Sequence, residues 1–524
     1  MARSLRVASA VAFVVFLLAS VWLAHLDRSG PPHAELELAG GVPATLFLPE
    51  AAGVPRGRAF LDPPPRGERP PAIVLMHGFA GDRLSLSSLA RRLASGGYAV
   101  LAIDARGHGE NRQRFERGWA RADSFAGDLS AAVDWLRTSP FVDGDRIAVM
   151  GHSMGAGAAL DFATRDSGID AAVLISGGWR LDGPYRPPNA LFLVAEGDPA
   201  AIRDRAAELV ARLAEAPGAE PGRAYGSFAD ATAVELAVVP GADHVSIVWR
   251  GDSVREILAW LDAVFGRARA AAEPPRDARL PALALMGIAF AAVLPGLGLL
   301  VAWLAPREAE LTVGSRARSL GLVALSLVAT MPLLATGTPA EIVSAEVLDA
   351  VVAQLALAGV ALLLWLRWRE PGAISRALRE PWRVLPAAAV GLLVVFTLTQ
   401  CFGVAVHRST LSPERMAVFA MAAAGLVLFS LPFQLLLRRG PPLGAALASL
   451  AGRAVVVAML VAGVASGVLP FVLVLMLGPL CGVFALVELV AAGIYAGSRN
   501  LLAIALLDAG WIAAVAAAIM PVRL

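Results

Sequence analysis

The chain has 524 residues, 57% hydrophobic and only 17% charged, which is too long and too apolar for one ordinary soluble domain and implies two regimes in one polypeptide. All 45 basic residues are Arg, which with the many Ala, Gly and Pro residues suggests a GC-rich genome; a net charge of +2 gives no ground for a nucleic-acid partner. Both cysteines, Cys401 and Cys481, fall in long apolar runs, so the rest of the chain needs neither a disulfide framework nor a thiolate metal site.

After "MARSLR", the residues from Val7 to Ala24 form one apolar stretch long enough to cross a bilayer, preceded by positive charge: a signal anchor or a signal peptide over residues 1–29. Small residues at Ala19, Ser20 and Ala24 keep cleavage open. Residues 30–275 change character. Charge returns, Pro clusters in "DPPPRGERPP", and β-rich runs ("AELELAG", "ATLFLPE", "AIVLM", "YAVLAID", "RIAVMG", "AAVLIS", "NALFLVA", "VELAVVP") alternate in the later part with amphipathic stretches at 83–95, 121–137, 153–165, 201–214 and 252–266. Strands alternating with helices predict an α/β domain with a mainly parallel, eight-stranded sheet between helical layers.

Residues 276–524 form an all-α membrane region. Eight apolar runs are expected as spans: Leu283–Leu304, Leu320–Ala335, Ala350–Leu366, Leu385–Val406, Met416–Leu437, Ala454–Leu475, Leu480–Ala496 and Leu501–Met520. One alternating set of connections (the N-terminus and the loops near 305–319, 367–384, 438–453 and 497–500) holds fourteen Arg; the opposite set holds three, Arg408, Arg415 and Arg523. The positive-inside rule then puts the first set in the cytoplasm and the 30–275 domain outside it, in what we expect to be a bacterial cell membrane. Glu488 and Asp508 fall inside predicted spans, where a charge is costly and functional use is the default suspicion; a polar seam with Arg453 as partner is the structural alternative.

The stretch "RIAVMGHSMGAGAAL" carries the chemistry. Gly151–Gly155 reads either as GxxxG, a packing face for a membrane helix, or as GxSxG, a serine on a strand-to-helix turn. Asp143, Asp145, Arg146, Asp161, Arg165 and Asp166 crowd both sides, which excludes a membrane helix, while an apolar strand before and a helix-compatible run after supply the elbow's context. Ser153 is therefore the candidate nucleophile. A general base is expected after the last strand, and of the seven histidines only His244, in "PGADHVS", qualifies within the domain. The orienting acid is expected at a strand end between them: Asp198 in "LFLVAEGDP", with Glu196 as competitor and a helix N-cap as the structural alternative for Asp198. Asp243 is read as solvating its loop. The oxyanion donors are expected to be the backbone N–H groups of Met154, after the nucleophile, and of Phe79 after "MHG", with Ala80 as fallback. His77, Asp104, Arg106 and His108 are read as loop-shaping, and His152 as packing beside the elbow.

"HGF", "DARGHG", "GHSMG", "EGD" and "GADH" occur in the order found in the α/β-hydrolase superfamily, which residues 34–266 resemble; "FVDGDRIAVMGHSMGAGAAL" looks most like its dienelactone-hydrolase, serine-aminopeptidase and prolyl-oligopeptidase-like branches. The resemblance implies hydrolysis of a carboxylic ester, thioester or amide through an acyl-serine, on a small-molecule or lipid-like acyl substrate, with no metal or organic cofactor. One departure is that only about ten residues separate "AAVLISGG" from "NALFLVA", so the cap domain many members insert there is not expected. A different class of function also stands: a transporter or channel whose hydrolase-like domain is an inactive binding module, motivated by Glu488, Asp508 and a bundle larger than anchoring needs.

Overall fold

The computed structural model describes the chain apart from residues 1, 51–62, 64, 66, 67, 117–124, 178–180, 182–185, 269–272, 274, 311–314, 336–342, 404, 409 and 524. Part of the Pro-rich run and the start of the 121–137 helix candidate lie outside the described residues.

A long first helix, α1 (Ala2–Ser29), leads into an antiparallel hairpin of β1 (His33–Leu38) and β2 (Val42–Phe47). There follow β3 (Pro71–Met76), α2 (Ser87–Ser95), β4 (Ala99–Ile103), α3 (Ala126–Thr138), β5 (Asp143–His152), α4 (Met154–Arg165), β6 (Ala171–Ile175), β7 (Ala190–Ala195), α5 (Ala200–Leu213), β8 (Val234–Val239) and α6 (Gly251–Val264). The eight strands form one sheet in the order β1-β2-β4-β3-β5-β6-β7-β8, parallel from β4 to β8. Strands β3, β4, β6 and β7 are buried along their whole length, as continuous apolar runs covered on both faces require. One face packs with α3, α4 and α5, the other with α2 and α6. This is the expected fold class.

Beyond the sheet lie α7 (Leu280–Leu304), α8 (Arg316–Ala335), α9 (Leu348–Arg369), the short α10 (Pro371–Ala377), α11 (Pro381–Gln400), α12 (Pro413–Leu437), α13 (Pro442–Ala465), the single turn α14 (Val472–Leu475), α15 (Leu477–Ser498) and α16 (Leu501–Ile519). Counting α1, eight helices among the described residues are long and apolar enough to cross a membrane; α8 packs between α9 and α13 without joining that set. Close crossings use glycine: a Cβ on Gly298 of α7 would lie 2.2 Å from the Val490 carbonyl oxygen of α15, and one on Gly493 would lie 2.4 Å from that of Pro295.

Several helix ends differ from the sequence reading, two of them at buried arginines. The span placed at Ala454–Leu475 begins at Pro442 and ends at Ala465, because Arg453, counted among loop cations, is a buried helical residue paired with Asp508. Arg415, also counted in a loop, sits in the first turn of α12, whose N-cap Ser412 accepts a hydrogen bond from its backbone N–H.

The α/β domain sits at one end of the bundle, and the three arginines of the Arg-poor set lie at that end. Arg408 donates its backbone N–H to Asp82 (2.7 Å) and its guanidinium to Glu110 (2.8 Å) and Glu35. Arg415 donates to the Gly107 carbonyl (3.1 Å) and to those of Ala517, Ala518 and Met520 at the end of α16. Arg523 pairs with Asp349. The C-terminal segment is clasped between both halves: Val522 N–H donates to Gly107 O (2.9 Å), Phe115 N–H donates to Val522 O (3.0 Å), and Val522 bridges Ala345.

Candidate active site

The central strand β5 pairs with β3 on one side and β6 on the other, and Ser153 follows directly from its C-terminal end. The serine adopts φ 54°, ψ −112°, a conformation costly for a residue with a Cβ, and its N–H is held by the Ile175 carbonyl at 2.8 Å. The turn is tight enough to dictate both flanking glycines. A Cβ on Gly151 would stand 2.0 Å from the Gly155 carbonyl oxygen, and one on Gly155 would stand 2.4 Å from that of Met76. The GxSxG spacing is thus a packing requirement between β5, β3 and α4.

His244, on the loop after β8, brings Nε2 to 3.0 Å from Ser153 Oγ and Nδ1 to 2.7 Å from Asp198 Oδ1. With the carboxylate at Nδ1, that nitrogen carries the proton and Nε2 presents its lone pair to the serine. Asp198, in the turn after β7, accepts at its other oxygen from Ser176 Oγ (2.5 Å) and from the Ala195 N–H (2.7 Å). Burial raises its pKa, but the hydrogen bonds from His244, Ser176 and Ala195 prevail and hold it below the usual carboxylate value. Asp198 does not cap α5, whose N-cap is Pro199 with no side-chain bond. The competitor Glu196 accepts instead from Gly241 N–H (2.8 Å), and Asp243 accepts from Val245 and Ser246 N–H within its own loop.

Met154 is the first residue of α4, and its N–H lies at the open end of that helix beside Ser153. Gly78 lies against Ser153: a Cβ there would meet the serine Cβ at 3.0 Å, so the Phe79 backbone passes next to that serine. Ala80 takes φ 60° in the same turn, which Gly81 N–H closes onto Gly78 O at 3.0 Å.

The surrounding residues read as loop-shaping are bonded into their loops. His77 accepts from Ala105 N–H (3.0 Å) and donates to Gly78 O (2.8 Å); Asp104 binds Arg83 and the Glu110 N–H; Arg106 binds Asp128. His152 donates Nε2–H to the His244 carbonyl at 2.8 Å, and desolvation with the neighbouring imidazole pushes its pKa down to about 3. Two supporting contacts escaped the sequence reading: the Ser176 hydroxyl on Asp198, and the brace from His152 to the His244 backbone. Ser176 at the end of "AAVLIS" was available as a signal, since a hydroxyl at a strand terminus beside the acid's strand reaches the same rim of the sheet. Among the described residues, no His, Cys, Asp and Glu grouping of metal-binding type occurs.

Residues 67–211 match the family model described as serine aminopeptidase, S33. The chain is 32% identical over 133 residues to cutinase est1 of Thermobifida alba, covering 24% of this chain and 41% of that protein. It is 33% identical over 133 residues to a bis(hydroxyethyl) terephthalate hydrolase of Streptomyces coelicolor, covering 24% of this chain and 39% of that one. It thus spans less than half the length of these relatives. Among solved structures, a hyperthermophilic esterase from Pyrobaculum calidifontis aligns with 18% identity and a TM-score of 0.32, over 49% of this chain and 93% of the esterase. Sheet order, elbow and family match agree that residues 33–264 form an α/β-hydrolase domain. The chain carries in addition a helical region that lies outside the family match.

Proposed function

We propose that this chain is a membrane-integral serine hydrolase acting on carboxylic esters through an acyl-serine intermediate, with Ser153 as nucleophile, His244 as base and then acid, and Asp198 holding the imidazole. The observation that carries this is the single imidazole reaching Ser153 Oγ at 3.0 Å and Asp198 Oδ1 at 2.7 Å. Oγ attacks the carbonyl carbon while its proton passes to His244 Nε2, and the oxyanion is received by the N–H groups of Met154 and Phe79. The acyl–oxygen bond to the leaving alcohol breaks as His244 returns the proton to that alcohol. Water then gives a proton to His244, attacks the acyl carbon and releases the acid, and the proton returns to Ser153. Asp198 keeps the proton on Nδ1 and stabilises the imidazolium without being protonated itself. The chemistry requires no metal or organic cofactor. Ester substrates are favoured over thioesters and amides because the relatives named above are a cutinase and a bis(hydroxyethyl) terephthalate hydrolase.

The helices of residues 276–524 and α1 anchor the enzyme, with the α/β domain outside the cytoplasm. Support comes from eight helices of spanning length and from the position of the α/β domain at the Arg-poor end. Two experiments test the proposal. Detergent-solubilised full chain is expected to hydrolyse p-nitrophenyl acetate and to label with a fluorophosphonate, and Ser153→Ala to lose labelling and about 10⁶ in turnover; a labelled alanine variant defeats the assignment. Alkaline phosphatase fused after residue 275 is expected to be active, and a green-fluorescent fusion there dark; the reverse moves the domain to the cytoplasm.

A further inference from the structure

We infer that the helical bundle holds the acyl chain of the ester cleaved at Ser153, so that the substrate is a medium- or long-chain fatty acyl ester; this rests on the esterase reading above. Helices α9, α12, α13, α14, α15 and α16 line a partly open cavity of about 170 Å³ with almost wholly apolar walls. Cavities of roughly 150 Å³ lined by aliphatic side chains stay dry and take up apolar guests. The direction of the cavity follows from α13. Arg453, Val456 and Leu460 all line it, three and four residues apart and therefore on one helix face, over roughly 10 Å at 1.5 Å per residue. Arg453 lies at the inner end with Asp508, and their 2.6 Å ion pair forms a polar floor that an alkyl chain cannot pass without burying charge against methylenes.

The outer end faces the α/β domain. Val347, Leu460 and Leu473 line the cavity there and belong to a small apolar cluster against which the Phe79 ring packs. The same ring packs on His108 and Phe115 in the α/β domain, at centroid distances of 5.9 and 6.2 Å. Its backbone adjoins Gly78, which abuts Ser153. Phe79 therefore packs both against the cluster at the outer end of the chamber and against the residues beside Ser153. An ester carbonyl placed between Ser153 and the Phe79 N–H directs its acyl carbons past that ring into the bundle, and its alcohol portion away from it. Val347, a β-branched residue held at φ 68°, fixes the start of α9 at this mouth.

The test is a p-nitrophenyl ester series from acetate to palmitate on the full chain in detergent. For the wild type, kcat/KM is expected to rise by up to about fourfold per methylene and then to level once the chamber is filled. Val456→Trp, which fills the chamber below its mouth, is expected to lower the ratio of kcat/KM on decanoate and longer esters to that on acetate at least tenfold. Leu460→Phe provides a milder obstruction if the tryptophan variant fails to fold, with the same selective loss. A wild type active on acetate but indifferent to chain length, or filled variants with the wild-type chain-length profile, overturns the inference and leaves the esterase reading standing. A wild type inactive on every ester and unlabelled by fluorophosphonate removes the esterase reading itself.

Discussion

In the α/β domain, the fully buried Asp104 receives the Arg83 backbone N–H, the Arg83 guanidinium and the Glu110 N–H, and Asp198 has partners on both oxygens. In the bundle, Arg438 pairs with Glu488 at 2.5 Å and Arg453 with Asp508 at 2.6 Å, with Gln434 joining the two pairs. Yet Arg438 Nη1, Arg453 Nε, Glu488 Oε1 and Asp508 Oδ1 are buried with no hydrogen-bond partner among the described residues. The difference teaches where rigidity is concentrated. A carboxylate bonded on every side keeps one geometry, as a site that must orient an imidazole requires. A neutral quartet of two cations and two anions cancels the charges that suggested ion handling, while its incomplete bonding makes it a costly feature of the bundle.

The comparison is sharpened first at the satisfied site. Asp198→Asn preserves shape but lets the amide impose the wrong tautomer on His244, so kcat is expected to fall about 10⁴-fold, while Glu196→Gln leaves it within twofold; equal losses in esterase assays would reassign the acid. Next comes the bundle quartet. Arg453→Ala leaves Asp508 buried without its cation and is expected to cost about 3–5 kcal/mol, whereas Arg453→Met with Asp508→Leu recovers most of that loss in thermal unfolding. If the double variant is no better than the single, the quartet is not an isolated charge pair.

A smaller effect appears with pH. Burial, the largest cause, lowers the pKa of His77, and lowers that of His108 well below its ordinary value, whereas both titrate near 6.5 in the unfolded chain. The sign follows from linkage: their contribution to stability is fully present above pH 6.5 and is lost as pH falls through the window below it, because only the unfolded chain takes up those protons. Asp198, also lowered, adds its own loss further down, below the ordinary carboxylate value of 3.8. Denaturant midpoints are expected to fall between pH 7.5 and 5, and His108→Phe, which keeps a ring beside Phe79 and Phe115, should flatten that fall; an unchanged slope would acquit His108. The smallest effect belongs to the partly exposed junction. Arg408→Ala is expected to cost no more than about 1 kcal/mol, with a loss that shrinks in high salt.

Much of the site was legible because each requirement is local or ordinal. A serine between two glycines after an apolar strand, an acid after a later strand and a histidine after the last one can be read in order without coordinates. The strand runs were legible because fully covered parallel strands are continuously apolar. The helical region was legible only in outline. Its uniform apolarity leaves little periodicity to mark ends, so the pattern places Arg415 and Arg453 in loops although both lie within helices and are buried.

What the chain by itself determined was the order of strands and helices, the elbow at Ser153, the succession Ser153, Asp198, His244, and the apolar runs. Tertiary structure alone decided that Asp198 and not Glu196 faces the imidazole, that Ser176 and His152 brace the pair, that Arg453 closes on Asp508, and that Phe79 packs against both the α/β domain and the bundle. The physical reason is range: backbone conformation and hydrophobic pattern are written in neighbouring residues, whereas contacts between residues tens to hundreds of positions apart depend on how the sheet and the bundle pack together.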